Sequence, residues 1–190
     1  ENVLLGNGSS EVFDNIFRIF LAPGEEVIQH TPCFGIYKLR GTILGGKLVS
    51  VPMVYKDKKL LYDPDSILKA ITDKTKIIVI ANPNNPTGAL YDPSAVKSIV
   101  DLAGEHDLLV ISDEIYDRIV FKKGFVSAAN VAKDVPVVGM NGFSKTYLMT
   151  GWRLGYMYFH DPEGKLAGLK ECVAKETRIR LSACTPVQKA

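Results

Sequence analysis

Lys145 and Arg153 lie in one short stretch, NGFSKTYLMTGWRLGY, which follows an apolar run typical of a buried strand. Their spacing corresponds to about two helical turns. A lysine amine can form an imine with an aldehyde, and a planar guanidinium can bind a phosphate through two parallel hydrogen bonds. The pair therefore predicts a site for a ligand that carries both an aldehyde and a phosphate, and pyridoxal 5'-phosphate is the candidate.

Two further stretches, IIVIANPNNPTG and LLVISDEIY, each contain an apolar run that ends in polar residues, as VPVVGMNGFSK does around Lys145. These runs are typical of buried strands in a parallel sheet. In α/β proteins, ligands bind beyond the carboxyl ends of such strands. We therefore expect Asn85, Asp113, Tyr116 and Lys145 to converge on one crevice.

The segments NPNNPTG, SDEIYD and NGFSKTYLMTGWRLGY together resemble those of the fold-type I pyridoxal-phosphate enzymes. Within that group the chain is most similar to the class I/II aminotransferases, particularly the prokaryotic aspartate and alanine aminotransferases. The resemblance extends from Gly8 to about Gly155, and three motifs in the right order make it specific. It implies a three-layer α/β/α fold with a mostly parallel central sheet.

The resemblance also implies roles for the residues of the crevice. Lys145 matches the lysine that forms the imine with the cofactor and then moves a proton to and from the substrate. Asp113 matches the carboxylate that keeps the cofactor's ring nitrogen protonated, and Tyr116 and Asn85 match residues that hydrogen-bond its phenolic oxygen. The alternatives are a solvated surface lysine, a turn or helix-cap aspartate, a core tyrosine and a turn asparagine.

A phosphate site is predicted from the turn GNGSS, because it precedes a helix and offers backbone N–H groups to an anion. Gly8, Ser9 and Ser10 are the matching positions, and Arg153 would complete the site; the alternative is a surface arginine. Gly142 stands where some relatives have a phosphate-binding serine, which leaves Ser144 as a further candidate ligand.

An aromatic ring is expected against the cofactor. Phe34, in TPCFGIY, aligns with the aromatic residue that stacks on the cofactor ring in the family, although ordinary core packing is the alternative. Tyr37 is interpreted as a packing or interface residue. None of the three histidines has a carboxylate or cysteine at a spacing that would indicate catalysis or metal binding. Cys33 is interpreted as a small buried side chain.

The composition places limits on partners and compartment. The chain has 190 residues and a net charge of +2, with no basic stripe, so nucleic acid is not expected to bind. The odd number of cysteines, at positions 33, 172 and 184, disfavours a disulfide framework or a zinc site and favours a reducing cytoplasm. No apolar run has a membrane-spanning length, and the first residues lack the basic start of a signal peptide.

Hydrophobic periodicity predicts strands alternating with helices. Helices are expected after Ser10, over FGIYKLRGTILGG, from Asp63 to Ile71, from Pro93 to His106 with Asp92 as a cap, and from about Pro162 to Ile179. Residues 1–190 are expected to form one cofactor-binding large domain. An N-terminal arm and a C-terminal small domain, which relatives carry, are expected to be absent.

The predicted function is amino-group transfer between an amino acid and a 2-oxo acid such as 2-oxoglutarate, through an imine with Lys145. Alanine or aspartate is the favoured donor, and the parent is expected to be a homodimer with no membrane attachment. Histidinol-phosphate or aromatic amino acid transamination and C–S bond cleavage are open alternatives on the same scaffold. A non-catalytic cofactor-binding regulatory module is another, and the 190-residue chain alone is expected to be weakly active or inactive.

Overall fold

The apolar runs form the strands of an α/β fold. The computed structural model describes residues 2–121 and 124–180. Its strands are β1 (Val3–Asn7), β2 (Glu26–Thr31), β3 (Lys47–Pro52), β4 (Val54–Lys56), β5 (Lys59–Leu61), β6 (Thr75–Ala81), β7 (Leu109–Asp113), β8 (Val137–Gly142) and β9 (Leu154–His160). Its helices are α1 (Ser9–Phe20), α2 (Ile36–Ile43), α3 (Pro64–Ala70), α4 (Pro93–Glu105), α5 (Ala128–Val131) and α6 (Ala167–Arg180).

One large sheet organises the described residues. Its seven strands follow the order β1-β9-β8-β7-β6-β2-β3, while β4 and β5 form a separate hairpin. The strands from β3 to β8 in this order pair in parallel, and β9 pairs antiparallel with both β8 and β1. The prediction of a mostly parallel sheet is confirmed.

Both faces of the sheet are buried. Along β6, Ile77 and Val79 contribute to one hydrophobic core, and Ile78 and Ile80 contribute to the other. The first core contains side chains of α1, α2 and α6, and the second contains side chains of α3, α4 and α5. This arrangement confirms the predicted three-layer α/β/α fold and explains why the strands are almost continuously apolar.

Two helices begin at residues that commonly mark a helix start: a capping aspartate followed by proline, and a glycine with positive φ. Asp92 accepts a hydrogen bond from the Ser94 backbone N–H at 2.8 Å, and Pro93 occupies the first helical position of α4. α1 begins at Ser9, directly after Gly8, whose φ is +80°. The start of α4 is the predicted one, whereas α1 begins at Ser9 and was expected after Ser10.

The last helix begins later than predicted, at Ala167 and not at Pro162. The intervening residues form turns, because Gly164 has a φ of +74° and the Asp161 carboxylate accepts a hydrogen bond from the Leu166 N–H at 2.8 Å. The segment between Lys145 and Arg153 is also not a regular helix. It consists of turns followed by one 3₁₀ turn at Thr150–Trp152.

Candidate active site

A cavity of about 180 Å³ lies beyond the carboxyl ends of β6, β7 and β8. It is lined by nine of the ten residues that the sequence predicted for the site: Ser9, Ser10, Phe34, Asn85, Asp113, Tyr116, Ser144, Lys145 and Arg153. The tenth, Gly8, lies against the Arg153 guanidinium. The structure thus brings together residues that are up to 145 positions apart in the chain.

One end of the cavity is formed by the start of α1 and by Arg153. The Arg153 guanidinium donates hydrogen bonds to the carbonyl oxygens of Thr150, at 2.8 Å, and Asn7, at 3.1 Å. Packing here is tight: a Cβ on Gly8 would lie 2.3 Å from Arg153 Nη2, and a Cβ on Gly155 would lie 2.2 Å from the Ser9 nitrogen. A helix N-terminus beside a fixed guanidinium is an anion site.

Gly142 also lies in a confined position, at the end of β8. A Cβ there would lie 3.0 Å from the Leu154 carbonyl oxygen and 3.2 Å from the Gly155 Cα. A serine would therefore require the neighbouring strand to move. Ser144, two residues later, lines the cavity.

Asp113, the last residue of β7, supplies a buried carboxylate. Its Oδ2 accepts a hydrogen bond from the Tyr37 hydroxyl at 2.6 Å, and its Oδ1 accepts one from the Ile115 N–H at 3.2 Å. Burial raises the pKa of Asp113 above its ordinary value, although both hydrogen bonds and the charge of Lys145 oppose the rise. A carboxylate in this setting favours a cationic partner.

Lys145 follows β8 in the turn that leads towards Thr150. Its Nζ lies 5.7 Å from the centre of the Tyr116 ring, so the amine and the phenol are neighbours in the cavity. Phe34 forms another part of the wall and is 41% exposed. Its ring meets the Tyr37 ring edge-on, with centroids 6.0 Å apart.

Asn85 reaches the cavity from a turn that its neighbour anchors. Asn84 accepts hydrogen bonds from the Thr87 N–H and hydroxyl, at 3.2 and 2.7 Å, and donates one to the Pro32 carbonyl at 3.1 Å. The Asn82 side chain accepts one from the Tyr91 N–H at 3.2 Å. The side chains of Asn82 and Asn84 thus hold this turn in place.

Sequence reasoning missed Tyr37 and Thr150 as members of the cavity wall. Tyr37 does pack in the core, as predicted, but its hydroxyl also reaches Asp113, which lies 76 positions away in the chain. Only its position three residues after Phe34, at the start of a helix, could have indicated that it lies near the cavity. Thr150 faces the cavity because of the 3₁₀ turn that precedes Arg153.

Other titratable groups close to the site are explained by packing. His30 accepts a hydrogen bond from the Asp63 N–H at 3.1 Å, and burial lowers its pKa to about 4. Burial raises the pKa of the Cys33 thiol to about 11, so this cysteine is not an activated nucleophile. Cys184 lies outside the described residues.

The groups around the cavity fit pyridoxal phosphate. The α1 start and Arg153 suit its phosphate, the amine of Lys145 suits its aldehyde, and Phe34 suits the face of its ring. The buried carboxylate of Asp113 suits its ring nitrogen, because the described residues provide Asp113 with hydrogen-bond donors but no ion pair.

The chain is similar to known proteins over its whole length. The family model for aminotransferase class I and II matches residues 1–190. Glutamate-pyruvate aminotransferase AlaA of Escherichia coli is 34% identical over all of this chain and 47% of its own length. Aspartate aminotransferase of Pyrococcus abyssi is 39% identical over 79% of this chain and 39% of its own length.

Two solved aminotransferase structures are also similar to this chain. Alanine aminotransferase from Pyrococcus furiosus superposes with a TM-score of 0.93 and 44% identity, over 98% of this chain and 47% of its own. An aspartate aminotransferase from Thermus thermophilus with maleate superposes with a TM-score of 0.85 and 31% identity, over 97% of this chain and 45% of its own. The chain spans about half the length of these relatives. Within residues 2–121 and 124–180, no helix has both the length and the apolarity needed to cross a membrane.

Proposed function

Because this chain belongs to the class I and II aminotransferases, we propose that its cavity binds pyridoxal phosphate and that the protein transfers an amino group between an amino acid and a 2-oxo acid. The observation that carries the proposal is the common location of an amine, a buried carboxylate and an anion site around one cavity. Alanine or aspartate is the proposed donor, since an aspartate aminotransferase and an alanine aminotransferase are among the similar proteins. The proposed acceptor is 2-oxoglutarate.

Each residue around the cavity has its own role in this proposal. Ser9, Ser10 and Arg153 hold the phosphate and so fix the position of the cofactor. Phe34 covers one face of the ring. Asn85 and Tyr116 donate hydrogen bonds to the phenolic oxygen, and Asp113 holds a proton on the ring nitrogen. When bound, the cofactor would supply an electrophilic carbon and a ring that withdraws electrons from the substrate's α-carbon.

Lys145 has two roles in this proposal. Its amine would attach the cofactor through the aldehyde, and when free it would take the proton from the substrate's α-carbon. Tyr116 lies beside the amine, whose Nζ is 5.7 Å from the centre of the ring. Homodimerisation and a cytoplasmic location stay predictions, as does the assignment of residues 1–190 to one cofactor-binding domain.

Borohydride trapping tests the attachment. The purified protein is mixed with pyridoxal phosphate, reduced and digested, and the modified peptide is identified by mass spectrometry. We expect a single adduct on Lys145 in the natural protein and in Lys69→Ala, a control that removes an exposed lysine of α3. Lys145→Ala is expected to give none. Adducts scattered over surface lysines, or an unchanged yield in Lys145→Ala, would contradict the proposal.

The amino transfer itself is tested by product release. With 2-oxoglutarate present, pyruvate formed from alanine is compared with oxaloacetate formed from aspartate, at high protein concentration because the 190-residue chain alone is expected to be weakly active or inactive. Lys145→Ala is expected to abolish both products, because no other amine of the described residues lines the cavity. Product formation that survives this substitution would contradict the role of Lys145.

A further inference from the structure

Tyr37 occupies a position that the proposed reaction does not use. Its side chain is 1% exposed, and its hydroxyl donates to Asp113 Oδ2 at 2.6 Å. The Ile115 N–H donates to the other carboxylate oxygen, Oδ1, at 3.2 Å. The two donors come from different elements, α2 and the segment after β7, and together they fix the plane of the carboxylate.

Among the groups that favour the ionised form of Asp113, the Tyr37 hydroxyl has the largest effect, although burial outweighs it. Among residues 2–121 and 124–180, the titratable or charged groups that act on the carboxylate are Tyr37, Cys33 and Lys145. Burial raises the pKa of Asp113, and the Tyr37 hydrogen bond opposes this rise more than the Ile115 N–H or the charge of Lys145 does. Without the hydroxyl, the ionised carboxylate would depend on a backbone donor and a more distant amine.

Tyr37 is itself held in place by neighbouring rings. Its centroid lies 4.9 Å from that of Phe13 on α1, and Phe34 meets it edge-on at 6.0 Å. Because the ring is enclosed, the hydroxyl cannot leave Asp113 without disturbing the core. The same side chain thus connects the aromatic wall of the cavity with its buried carboxylate.

We propose that Tyr37 is a positioning residue that acts through Asp113: its hydroxyl keeps the carboxylate ionised and oriented towards the protonated ring nitrogen of pyridoxal phosphate. This inference rests on the proposed function, since it takes Asp113 as the partner of that nitrogen. It adds a residue of α2 to the set that determines how tightly, and over what pH range, the cofactor binds.

The test is the dissociation constant of pyridoxal phosphate, measured by absorbance or fluorescence titration across a pH series. Tyr37→Phe keeps the ring and removes only the donor. Removing it raises the pKa of Asp113 further, so the carboxylate becomes protonated at a higher pH as the solution is acidified. We expect the acid-side loss of binding to move to higher pH and the affinity at neutral pH to fall about tenfold.

Two further variants separate this role from a general effect on folding. Tyr91→Phe is the matched control, because Tyr91 is also a buried phenol, but its hydroxyl contacts the Met53 sulfur at 3.4 Å and it does not line the cavity. Its pH profile is expected to match that of the natural protein. In an Asp113→Asn background, Tyr37→Phe is expected to have little additional effect, because the charge that it stabilises is already absent.

The outcomes distinguish the two proposals. An unchanged pH profile in Tyr37→Phe would overturn the role of Tyr37. So would an equal loss of affinity when Tyr37→Phe is introduced into the natural protein and into Asp113→Asn. Either result would leave the proposed function standing. An unaltered affinity in Asp113→Asn would instead contradict the proposed cofactor site, and the role of Tyr37 would fail with it.

Discussion

Gly8 shows how a single backbone position determines the geometry of the proposed phosphate site. Its φ of +80° is unfavourable for any residue with a side chain, and a Cβ there would lie 2.3 Å from Arg153 Nη2. Gly8→Ala is therefore expected to destabilise the fold and also to displace the guanidinium. We expect the affinity for pyridoxal phosphate to fall at least tenfold, which a binding titration would measure.

Gly24→Ala is the matched control for this substitution. Gly24 has a nearly equal φ of +85°, but no atom lies within 4 Å of the position of its Cβ. Both variants are expected to lose about 1–2 kcal/mol of unfolding free energy through backbone strain, while only Gly8→Ala weakens binding. Equal affinities in the two variants would show that Arg153 does not depend on Gly8.

At the scale of elements, β7 and β9, which lie on either side of β8, are connected by a polar side chain that does not line the cavity. Glu114, directly after β7, accepts hydrogen bonds from Ser112 and Ser127 at 2.9 Å and from Tyr158 at 2.8 Å. Tyr158 lies on β9 and reaches Glu114 across β8, where Gly139 has no side chain. The network holds the chain immediately after Asp113.

Gly139 on β8 pairs with Tyr158 on β9. A Cβ at this position would lie 1.9 Å from Cζ of the Tyr158 ring, so Gly139→Ala must displace Tyr158 or separate the strands. We expect it to lower the unfolding free energy by about 1–3 kcal/mol, as other overpacked cores do. The measurement is urea unfolding monitored by circular dichroism.

Gly168→Ala provides the comparison, since no atom lies within 4 Å of its Cβ position in α6. An alanine in a helix is favoured over a glycine, so this variant is expected to gain up to about 1 kcal/mol. If Gly139→Ala were as stable as Gly168→Ala, then the close packing of Tyr158 over β8 would not contribute to stability.

The elements that the sequence predicted are those with local signals. The runs of β6, β7 and β8 are apolar because both faces are buried, and α4 carries its own cap at Asp92. β9 and β1 were not predicted, because they are defined mainly by their antiparallel pairing with each other and with β8. α6 was predicted too early, because Asp161 stabilises a turn through its side chain.

In the candidate site too, the features with local sequence signals were predicted and those that depend on long-range contacts were not. Motifs in the sequence named ten residues, and the fold gathers them around one cavity. Whether they bind pyridoxal phosphate stays a prediction. Tyr37 was not predicted to contact Asp113, because that contact depends on where α2 packs against the end of β7. Long-range hydrogen bonds of this kind leave no periodic pattern in the sequence.

At the scale of the whole molecule, the candidate site is built from segments that follow five strands of the large sheet. Its residues follow β1, β2, β6, β7 and β8, and Arg153 directly precedes β9. Because these segments meet only in the folded state, a ligand bound at the cavity stabilises the native state and not the unfolded chain. Binding and global stability should therefore be linked.

Thermal unfolding tests this linkage and the proposed chemistry together. At a pyridoxal phosphate concentration of about 100 times its dissociation constant, the native state should gain about 2.7 kcal/mol, which raises the unfolding temperature by roughly 5–10 °C. Pyridoxal, which lacks the phosphate, is expected to give a much smaller rise at the same concentration, because it cannot engage Arg153 and the start of α1. Equal shifts with the two compounds would mean that Arg153 and the start of α1 do not contribute to the stabilisation. If pyridoxal phosphate gives the larger shift, the same measurement is made on Lys145→Ala. A smaller shift in this variant than in the natural protein would assign part of the stabilisation to the Lys145 amine.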